Sequence, residues 1–454
     1  MKFCFTLAAT MLLGAISLEA HAQQPWLADR RYGEGIGLRA GDLEFHPGIA
    51  AEAGYDSNYF LRAPSETPLA AYRLRVTPSF TVSTLGPQRR EGSPNAPSNL
   101  TFRGGAYLSY NELIAADSKH SSELSDQRHV DVGSDLLLNI FPQSRVGADT
   151  YLNFVHMVQP SNDTNTENAF NRDSLRAGAG VSWRPGGGLF DWRLGYEFLY
   201  NYFEKSNFGY LNNYQNQVNM RGRWRFLPRT AVLYDGNYTW VSYPNPGTQN
   251  DGSIVRSRIG LNGLVTTRLS LLAMVGWAGT FYDAKNGQPP QQFDSLTAQA
   301  ELKWFLSGPQ ETLNPSSAPI GLSYASIGYI RDVANSYLGN FYQKDRGYAG
   351  VSYLLGGVFV ASLNAGIANL RFPTSYFPGT NIEQHSTFSE QRFDASLFAE
   401  YRFSNTFGLN TTVNYDQNIT GVRIPSSVQD KNTGRGDPLE YSRWQAMIGA
   451  RFFW

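Results

Sequence analysis

Strict alternation of apolar and polar residues is the feature that most constrains this chain. From Gln215 to Phe226, apolar side chains such as Val218 and Trp224 occupy one set of alternate positions, and polar ones such as Arg221 occupy the other. Successive side chains of a strand point to opposite faces, whereas the 3.6-residue period of a helix would scatter both sets around its axis. The pattern recurs along most of the chain. The sequence therefore predicts an all-β protein.

The alternating segments, separated by residues typical of turns, predict eighteen antiparallel strands. They span residues 43–56, 70–84, 99–111, 127–140, 145–157, 172–184, 189–203, 212–226, 229–243, 252–265, 268–282, 292–306, 319–331, 343–355, 357–371, 388–403, 405–418 and 438–454. An even number of strands would return both ends of the barrel to the periplasm. Alternation is weak at 268–282 and 319–331, so the count is open by two strands.

Aromatic residues and connection lengths favour a membrane barrel over a soluble β-sandwich. Several apolar faces end in aromatic residues, as at Tyr238 and Trp240, and such residues form girdles at the membrane interfaces. Short turns alternate with longer polar loops, although two predicted periplasmic turns, at 85–98 and 307–318, are long. Because an open sheet edge in lipid would leave backbone groups unpaired, we predict a closed transmembrane barrel over residues 43–454.

The N-terminal residues predict export. Lys2 precedes an apolar stretch, and Ala20-His21-Ala22 fits a small-x-small cleavage pattern, so residues 1–22 are expected to be a signal peptide. Residues 23–42 would then form a short periplasmic segment. Because the only cysteine, Cys4, lies in the predicted signal peptide, a disulfide or thiolate metal site is not expected. Together with the barrel, this predicts the outer membrane of a Gram-negative bacterium.

The last predicted strand carries a second export feature. Trp444, Ile448, Phe452 and Trp454 share its apolar face, and the chain ends on an aromatic residue. This arrangement resembles the signal that the barrel-assembly machinery reads, with Phe452 and Trp454 as its key residues. The alternative is that the aromatic terminus arises by chance. We expect the partners to be outer-membrane lipid and the assembly machinery.

The opposite face of the strands would line the interior of the barrel, and arginine predominates there. The basic residues predicted to face inward are Arg73, Arg75, Arg103, Arg172, Arg176, Arg193, Arg221, Arg223, Arg225, Arg256, Arg258, Lys303, Arg392, Arg402, Arg443 and Arg451. The inward acids are Asp131, Asp135, Asp149, Glu197, Asp235, Glu301, Asp394, Glu400 and Asp416. Two interpretations stay open: a positive interior that favours anionic solutes, or ion pairs that stiffen the wall.

Residues suited to catalysis or metal binding form no motif. The histidines after the predicted signal peptide are His46, His120, His129, His156 and His385, and none has the spacing of a zinc motif. A Gly-x-Ser-x-Gly nucleophile elbow is absent from the sequence. We therefore expect no enzymatic activity, no metal and no cofactor. The formal net charge of zero gives no indication of a nucleic-acid partner.

The start of the first predicted strand has the most distinctive sequence. It reads Leu43-Glu44-Phe45-His46-Pro47-Gly48-Ile49, followed by Gly54-Tyr55-Asp56-Ser57-Asn58-Tyr59-Phe60. This resembles the first strand of the β-barrel porin type 2 family, with His46, Pro47, Tyr55, Asp56 and Asn58 at the matching positions. Asp and Asn are also common where a strand turns into a loop. The resemblance implies a polysaccharide exit channel that works with a periplasmic export protein.

Three functions therefore remain open from the sequence. The leading hypothesis is a channel for export of exopolysaccharide across the outer membrane. The first alternative is a general or anion-preferring diffusion porin, which a barrel of about eighteen strands is wide enough to form. The second is a structural or docking barrel in an envelope-spanning complex such as a motility machine.

Overall fold

A computed structural model describes most of the chain. The described residues are 36–85, 99–159, 170–245, 247, 249–285, 287–306, 323–336, 339–355, 358–377, 380–425 and 427–454. The predicted signal peptide, most of segment 23–42, nearly all of the two long periplasmic turns and residues 160–169 lie outside the described residues. In the part of the chain that the structure describes, no helix is long and apolar enough to cross a membrane.

Eighteen long strands make up the wall within the described residues. They are β1 Leu43–Asp56, β2 Ala71–Thr84, β3 Leu100–Ala115, β4 His129–Ile140, β5 Val146–Gln159, β6 Phe170–Trp183, β7 Phe190–Phe203, β8 Asn213–Leu227, β9 Thr230–Ser242, β10 Gly252–Leu264, β11 Leu269–Tyr282, β12 Gln291–Phe305, β13 Tyr324–Asn335, β14 Phe341–Leu355, β15 Phe359–Phe372, β16 Phe388–Arg402, β17 Phe407–Ile419 and β18 Tyr441–Phe453. Each pairs antiparallel with the next along the chain. The prediction of eighteen strands is confirmed.

Pairing of the first strand with the last closes the barrel. Gly48 of β1 lies opposite Phe453 of β18, and the ladder runs on to Asp56 opposite Gln445. Below this seam a short strand, Leu38–Ala40, pairs with residues 43–45 of β1. The barrel therefore has no open edge in the membrane.

Pro47 lies where β1 changes partner from the short strand to β18. Its carbonyl accepts a hydrogen bond from the Trp454 N–H at 2.9 Å, so the side of Pro47 that lacks an N–H faces the end of β18. A proline is tolerated where a ladder begins or ends because no N–H is needed there. The residue therefore fits this junction at no cost in hydrogen bonds.

The outer surface of the wall is apolar and rich in aromatic side chains. Ile448, Ile327 and Leu296 are more than half exposed although they lie in strands. Aromatic contacts such as Tyr238–Trp240 and Trp277–Phe281 follow the rims. A closed barrel with an apolar outer face and aromatic rims is the architecture of outer-membrane proteins. The chain is therefore an outer-membrane β-barrel.

The outer loops contain two short α-helices and two short hairpins in the described residues. Helix α1, Ser121–Ser125, lies between β3 and β4, and helix α2, Val428–Thr433, lies between β17 and β18. Two short hairpins lie in the outer loops, one between β15 and β16, where Ser375–Tyr376 pairs with Glu383–His385, and one between β17 and β18, where Arg423–Ile424 pairs with Asp437–Pro438.

Candidate functional site: the barrel interior and its outer mouth

The arginines predicted to face inward alternate with exposed apolar residues, which places them on the interior face, and most lie beside a carboxylate. Ion pairs within 4.0 Å join Arg73 to Asp56, Arg75 to Glu52, Arg103 to Asp135, Arg193 to Asp149, Arg221 to Asp235, Arg223 to Asp191, Arg256 to Asp332, Arg258 to Asp235 and Arg402 to Glu400. Glu52, Asp56, Asp191 and Asp332 were not among the acids identified from the sequence. The interior is therefore closer to charge balance than the inward-facing acids predicted from the sequence indicated.

The predicted cluster Arg221, Arg223 and Arg225 lies on one face of β8 near the periplasmic end. The Arg221 guanidinium is 3.7 Å from the Asp235 carboxylate, and its side chain is 72% exposed. Arg223 is 3.5 Å from Asp191. Both separations are longer than charge-assisted hydrogen bonds. The exposed Arg221 is hydrated and screened by salt, whereas the Arg223 side chain is only 18% exposed.

A tightly packed ionic group lies behind the seam. Asp56 at the outer end of β1 receives a bidentate contact from Arg443 of β18, with Nε 2.9 Å from Oδ1. Gln445 Nε2 donates to the same carboxylate at 2.7 Å, and Arg73 lies 3.7 Å away. The carboxylate therefore ties β1 to strands on both sides.

A second buried group lies near the periplasmic end of the seam. Glu400 of β16 contacts Arg451 of β18 and accepts a hydrogen bond from Arg402 at 2.8 Å. The Glu400 and Arg451 side chains are 0% and 1% exposed. Both guanidinium groups also lie over the Phe453 ring, at 5.8 and 5.0 Å.

The five residues of the family-like motif serve the seam and the first outer loop. His46 faces inward, 3.6 Å from Glu44, and Pro47 marks the change of partner. Tyr55 faces outward between Tyr72 and Trp444, with ring centroids 5.6 and 4.9 Å away. Their arrangement gives each a structural reason to be present.

Asn58 organises the loop that follows β1. Its Nδ2 donates to the carbonyls of Arg62 at 2.8 Å and Ser442 at 3.0 Å, while its Oδ1 accepts from the Arg62 N–H at 2.9 Å. The side chain thus shapes its own loop and attaches it to the start of β18.

Apolar side chains from the outer loops pack on inward-facing residues at the outer ends of the strands. One cluster contains Tyr59, Phe60, Leu69, Ala71, Leu113 and Leu124. A second contains Tyr342, Ala368, Leu370, Phe372, Phe388, Ile424 and Leu439. Burial in these clusters raises the pKa of the Tyr59 hydroxyl, which lies in the loop after β1. The loops therefore narrow the outer mouth of the barrel.

A third element, the inward hairpin (residues 332–336 and 339–342), leaves the wall. The β12–β13 ladder ends at Ala298 and Arg331, whereas β13 and β14 stay paired to Asn335 and Phe341. Phe341 packs against the interior residues Ala278, Tyr282, and Phe293. The hairpin therefore lies across the interior faces of β11 and β12.

Polar contacts hold the inward hairpin in place. Asn335 Nδ2 donates to the Tyr243 hydroxyl at 2.9 Å, and Asn335 Oδ1 accepts from the Tyr282 hydroxyl at 2.9 Å. Asn340 Oδ1 accepts from the Asn250 N–H at 2.8 Å. Asp332 forms an ion pair with Arg256 of β10, three strands away. These contacts are non-covalent and can be exchanged for water.

A pocket lies beneath the second apolar cluster. Its lining includes Lys344, Arg346, Arg392, Asp394, Asp416 and Tyr441. Arg346 donates to Asp394 at 2.6 Å, and Asp394 is directly opposite Asp416 in the β16–β17 ladder. The pocket thus presents charges of both signs to the interior.

The sequence predicted the strands of the wall but little of the structure at the outer mouth. The loop between β17 and β18 folds inward through Ile424, and Gln384 of the loop between β15 and β16 donates to the Pro425 carbonyl at 2.9 Å. The inward hairpin was not predicted, because its contacts come from distant strands. The apolar run Tyr59-Phe60-Leu61, which follows the first predicted strand, was the sequence feature that could have indicated a loop packed into the outer mouth.

The overall structure resembles known outer-membrane barrels at low sequence identity. The FrpB iron transporter from Neisseria meningitidis (F3-3 variant) is 8% identical, with a TM-score of 0.45 over 92% of this chain and 82% of that chain. OpdQ of Pseudomonas aeruginosa is 9% identical, with a TM-score of 0.45 over 91% and 99%. The copper transporter OprC is 9% identical, with a TM-score of 0.45 over 86% and 64%.

Similarities this weak give no information about the function of this chain. No family model and no curated protein matches the sequence. The resemblance of the first strand to the β-barrel porin type 2 family therefore stays a prediction.

Proposed function

We propose that the protein is an outer-membrane channel for export of exopolysaccharide, with an outer mouth that opens when its inward-packed elements move. The observation that carries this proposal is the interior wall, where arginines and carboxylates lie side by side. Such a wall is polar and hydrated but has no large excess of one charge. It suits a polymer of hydroxyl groups, which needs hydrogen-bonding partners along its whole path and no strong binding site.

The same observation weighs against an anion-preferring diffusion porin. Selectivity for anions needs an unbalanced positive potential in the pore, and nearly all of the predicted inward arginines have acid partners. The packed outer mouth also differs from that of an open porin. It fits a channel that opens only when a polymer is delivered, which a periplasmic export protein would do.

The proposed opening of the outer mouth is tested by the conductance of a variant, called the latch variant, that lacks contacts of the inward hairpin. Asp332→Asn combined with Asn335→Ala removes the contacts of the inward hairpin to Arg256, Tyr243 and Tyr282. We expect small or rare openings for the wild type in planar bilayers and larger, longer ones for the variant. Asp135→Asn is the matched control, since it removes an interior carboxylate outside the hairpin. A variant as silent as the wild type would favour the docking barrel.

Export itself is tested in cells. Deletion of the gene should abolish surface polysaccharide while polymer accumulates inside, and complementation with the wild type should restore it. Unchanged surface polysaccharide after a clean deletion would refute the export proposal. A wild-type channel that is constantly open and prefers small anions would instead support the porin.

A further inference from the structure

We propose that the outer wall carries a divalent metal site formed by His156, Asp173 and Glu204. Among the described residues, this is the group of His, Asp and Glu side chains whose ligand atoms lie close enough to share one ion, all within 4.8 Å of one another. The site is separate from the interior and does not depend on the proposed export function.

Three neighbouring strands supply one ligand each. His156 of β5 is directly opposite Asp173 of β6 in the ladder, and Glu204 follows the last residue of β7. All three share the outward parity of exposed residues such as Leu152, Val181 and Leu194. The side chains therefore converge on the outside of the barrel, at the outer ends of the strands.

The distances are close to those of a coordination sphere. His156 Nδ1 lies 2.8 Å from Asp173 Oδ1 and 3.5 Å from Glu204 Oε1. Ligands at about 2.0–2.2 Å from a tetrahedral zinc ion are roughly 3.3–3.5 Å apart. The His–Glu separation already matches, and the His–Asp separation needs to widen by about half an ångström.

Glu204 is held by a neighbour that leaves one oxygen available. Asn171 Nδ2 donates to Glu204 Oε2 at 3.1 Å, and the Glu204 N–H donates to the Asn171 carbonyl at 3.2 Å. Oε1 is the oxygen that faces His156. Hydrogen bonds of this kind orient ligands in metal sites.

The negative charge at this position is a second reason to expect a bound cation. Elsewhere on the outer ends of the wall, Asp345 lies 3.6 Å from Arg331 and Glu112 lies 3.5 Å from Arg128. In the described part of the chain, neither Asp173 nor Glu204 has an arginine or lysine within 4.0 Å. Two neighbouring carboxylates repel each other unless a positive charge neutralises them.

The ligand set selects the class of metal. Calcium and magnesium take oxygen ligands, whereas one imidazole with two carboxylates suits zinc and other divalent transition metals. Three protein ligands leave a position for water or an anionic group. Bound metal would join the outer ends of β5, β6 and β7.

Zinc binding to the folded protein tests the site. Untagged protein in detergent micelles competes with a chromophoric chelator for Zn²⁺, and folding is verified by heat-modifiable mobility in gels. We expect one zinc ion per chain for the wild type and at least a tenfold weaker affinity for His156→Gln. Glu204→Gln, at an exposed position, provides a second variant should the first fold poorly.

His129→Gln is the matched control. His129 also lies beside a carboxylate, 3.6 Å from Asp131, but with one acid and on the interior face. It should bind zinc as the wild type does. The proposal is overturned if the wild type binds no zinc, if both His156→Gln and Glu204→Gln bind it as tightly as the wild type, or if His129→Gln loses as much affinity.

Discussion

The two sides of the barrel use the same residue types in opposite environments. Behind the seam, Glu400 and Arg451 are almost completely buried. Across the barrel, on β8 and β9, Arg221 is mostly exposed and only loosely paired with Asp235. Both sets of charged residues come from the same alternating pattern. Alternation therefore determines on which face of the wall a charged side chain lies, but not how deeply it is buried.

Burial changes what an ion pair contributes. A buried charge that loses its partner keeps the full cost of its desolvation, whereas an exposed charge is rehydrated and screened. The seam should therefore be sensitive to the loss of one charge, and the far wall should tolerate it. Stability measurements on matched pairs of variants test this contrast.

The largest effect is expected for Arg451→Ala. It removes the Arg451 charge from the buried Glu400, which keeps its ion pair with Arg402, so the free energy of unfolding should fall by about 3 kcal/mol, the lower end for breaking a buried pair. Arg221→Ala should cost less than about 1 kcal/mol. Urea unfolding in lipid vesicles measures both, and equal losses would contradict the contrast.

An intermediate effect is expected for Tyr55→Ala. The substitution removes two aromatic contacts, one across the seam to Trp444 and one to Tyr72 of β2, and should cost about 2 kcal/mol. The control is Tyr202→Ala on the far wall, which removes one stacking contact, to Tyr200, and should cost about half as much. The same unfolding assay compares them, and a larger loss for Tyr202→Ala would count against a special role of the seam.

The smallest effect is expected from replacing Arg221, Arg223 and Arg225 together with glutamine. Because Arg221 is exposed to solvent and both Arg221 and Arg223 have acid neighbours, the ratio of anion to cation permeability should change by less than about twofold. Reversal potentials across a salt gradient, measured in the latch variant, give this ratio. A loss of strong anion selectivity would restore the interpretation of a positive interior.

Most of the wall could be predicted from the sequence because a strand's alternation is a local property. β1 spans the predicted residues 43–56, while β3 extends to Ala115, beyond the predicted 111. β3 differs because the end of a long hairpin rises above the membrane, where the apolar face no longer needs to be continuous.

The outer mouth and the metal site could not be predicted in the same way. Asp332 meets Arg256 only because the inward hairpin crosses two strands, and no spacing in the sequence encodes that crossing. His156, Asp173 and Glu204 come from three strands, with different loop lengths between them, so they form no motif. Their proximity follows from strand register, which closure of the whole barrel determines.

Closure of the seam also has a consequence for the order of folding. The Asp56–Arg443 contact joins residues 387 positions apart in the chain. β1 can therefore pair with β18 only after nearly the whole chain is present. Contacts this distant form slowly, and an unpaired strand edge is prone to wrong association. The short strand Leu38–Ala40 covers three residues of that edge, and the remainder needs protection by other molecules until the last strand is in place.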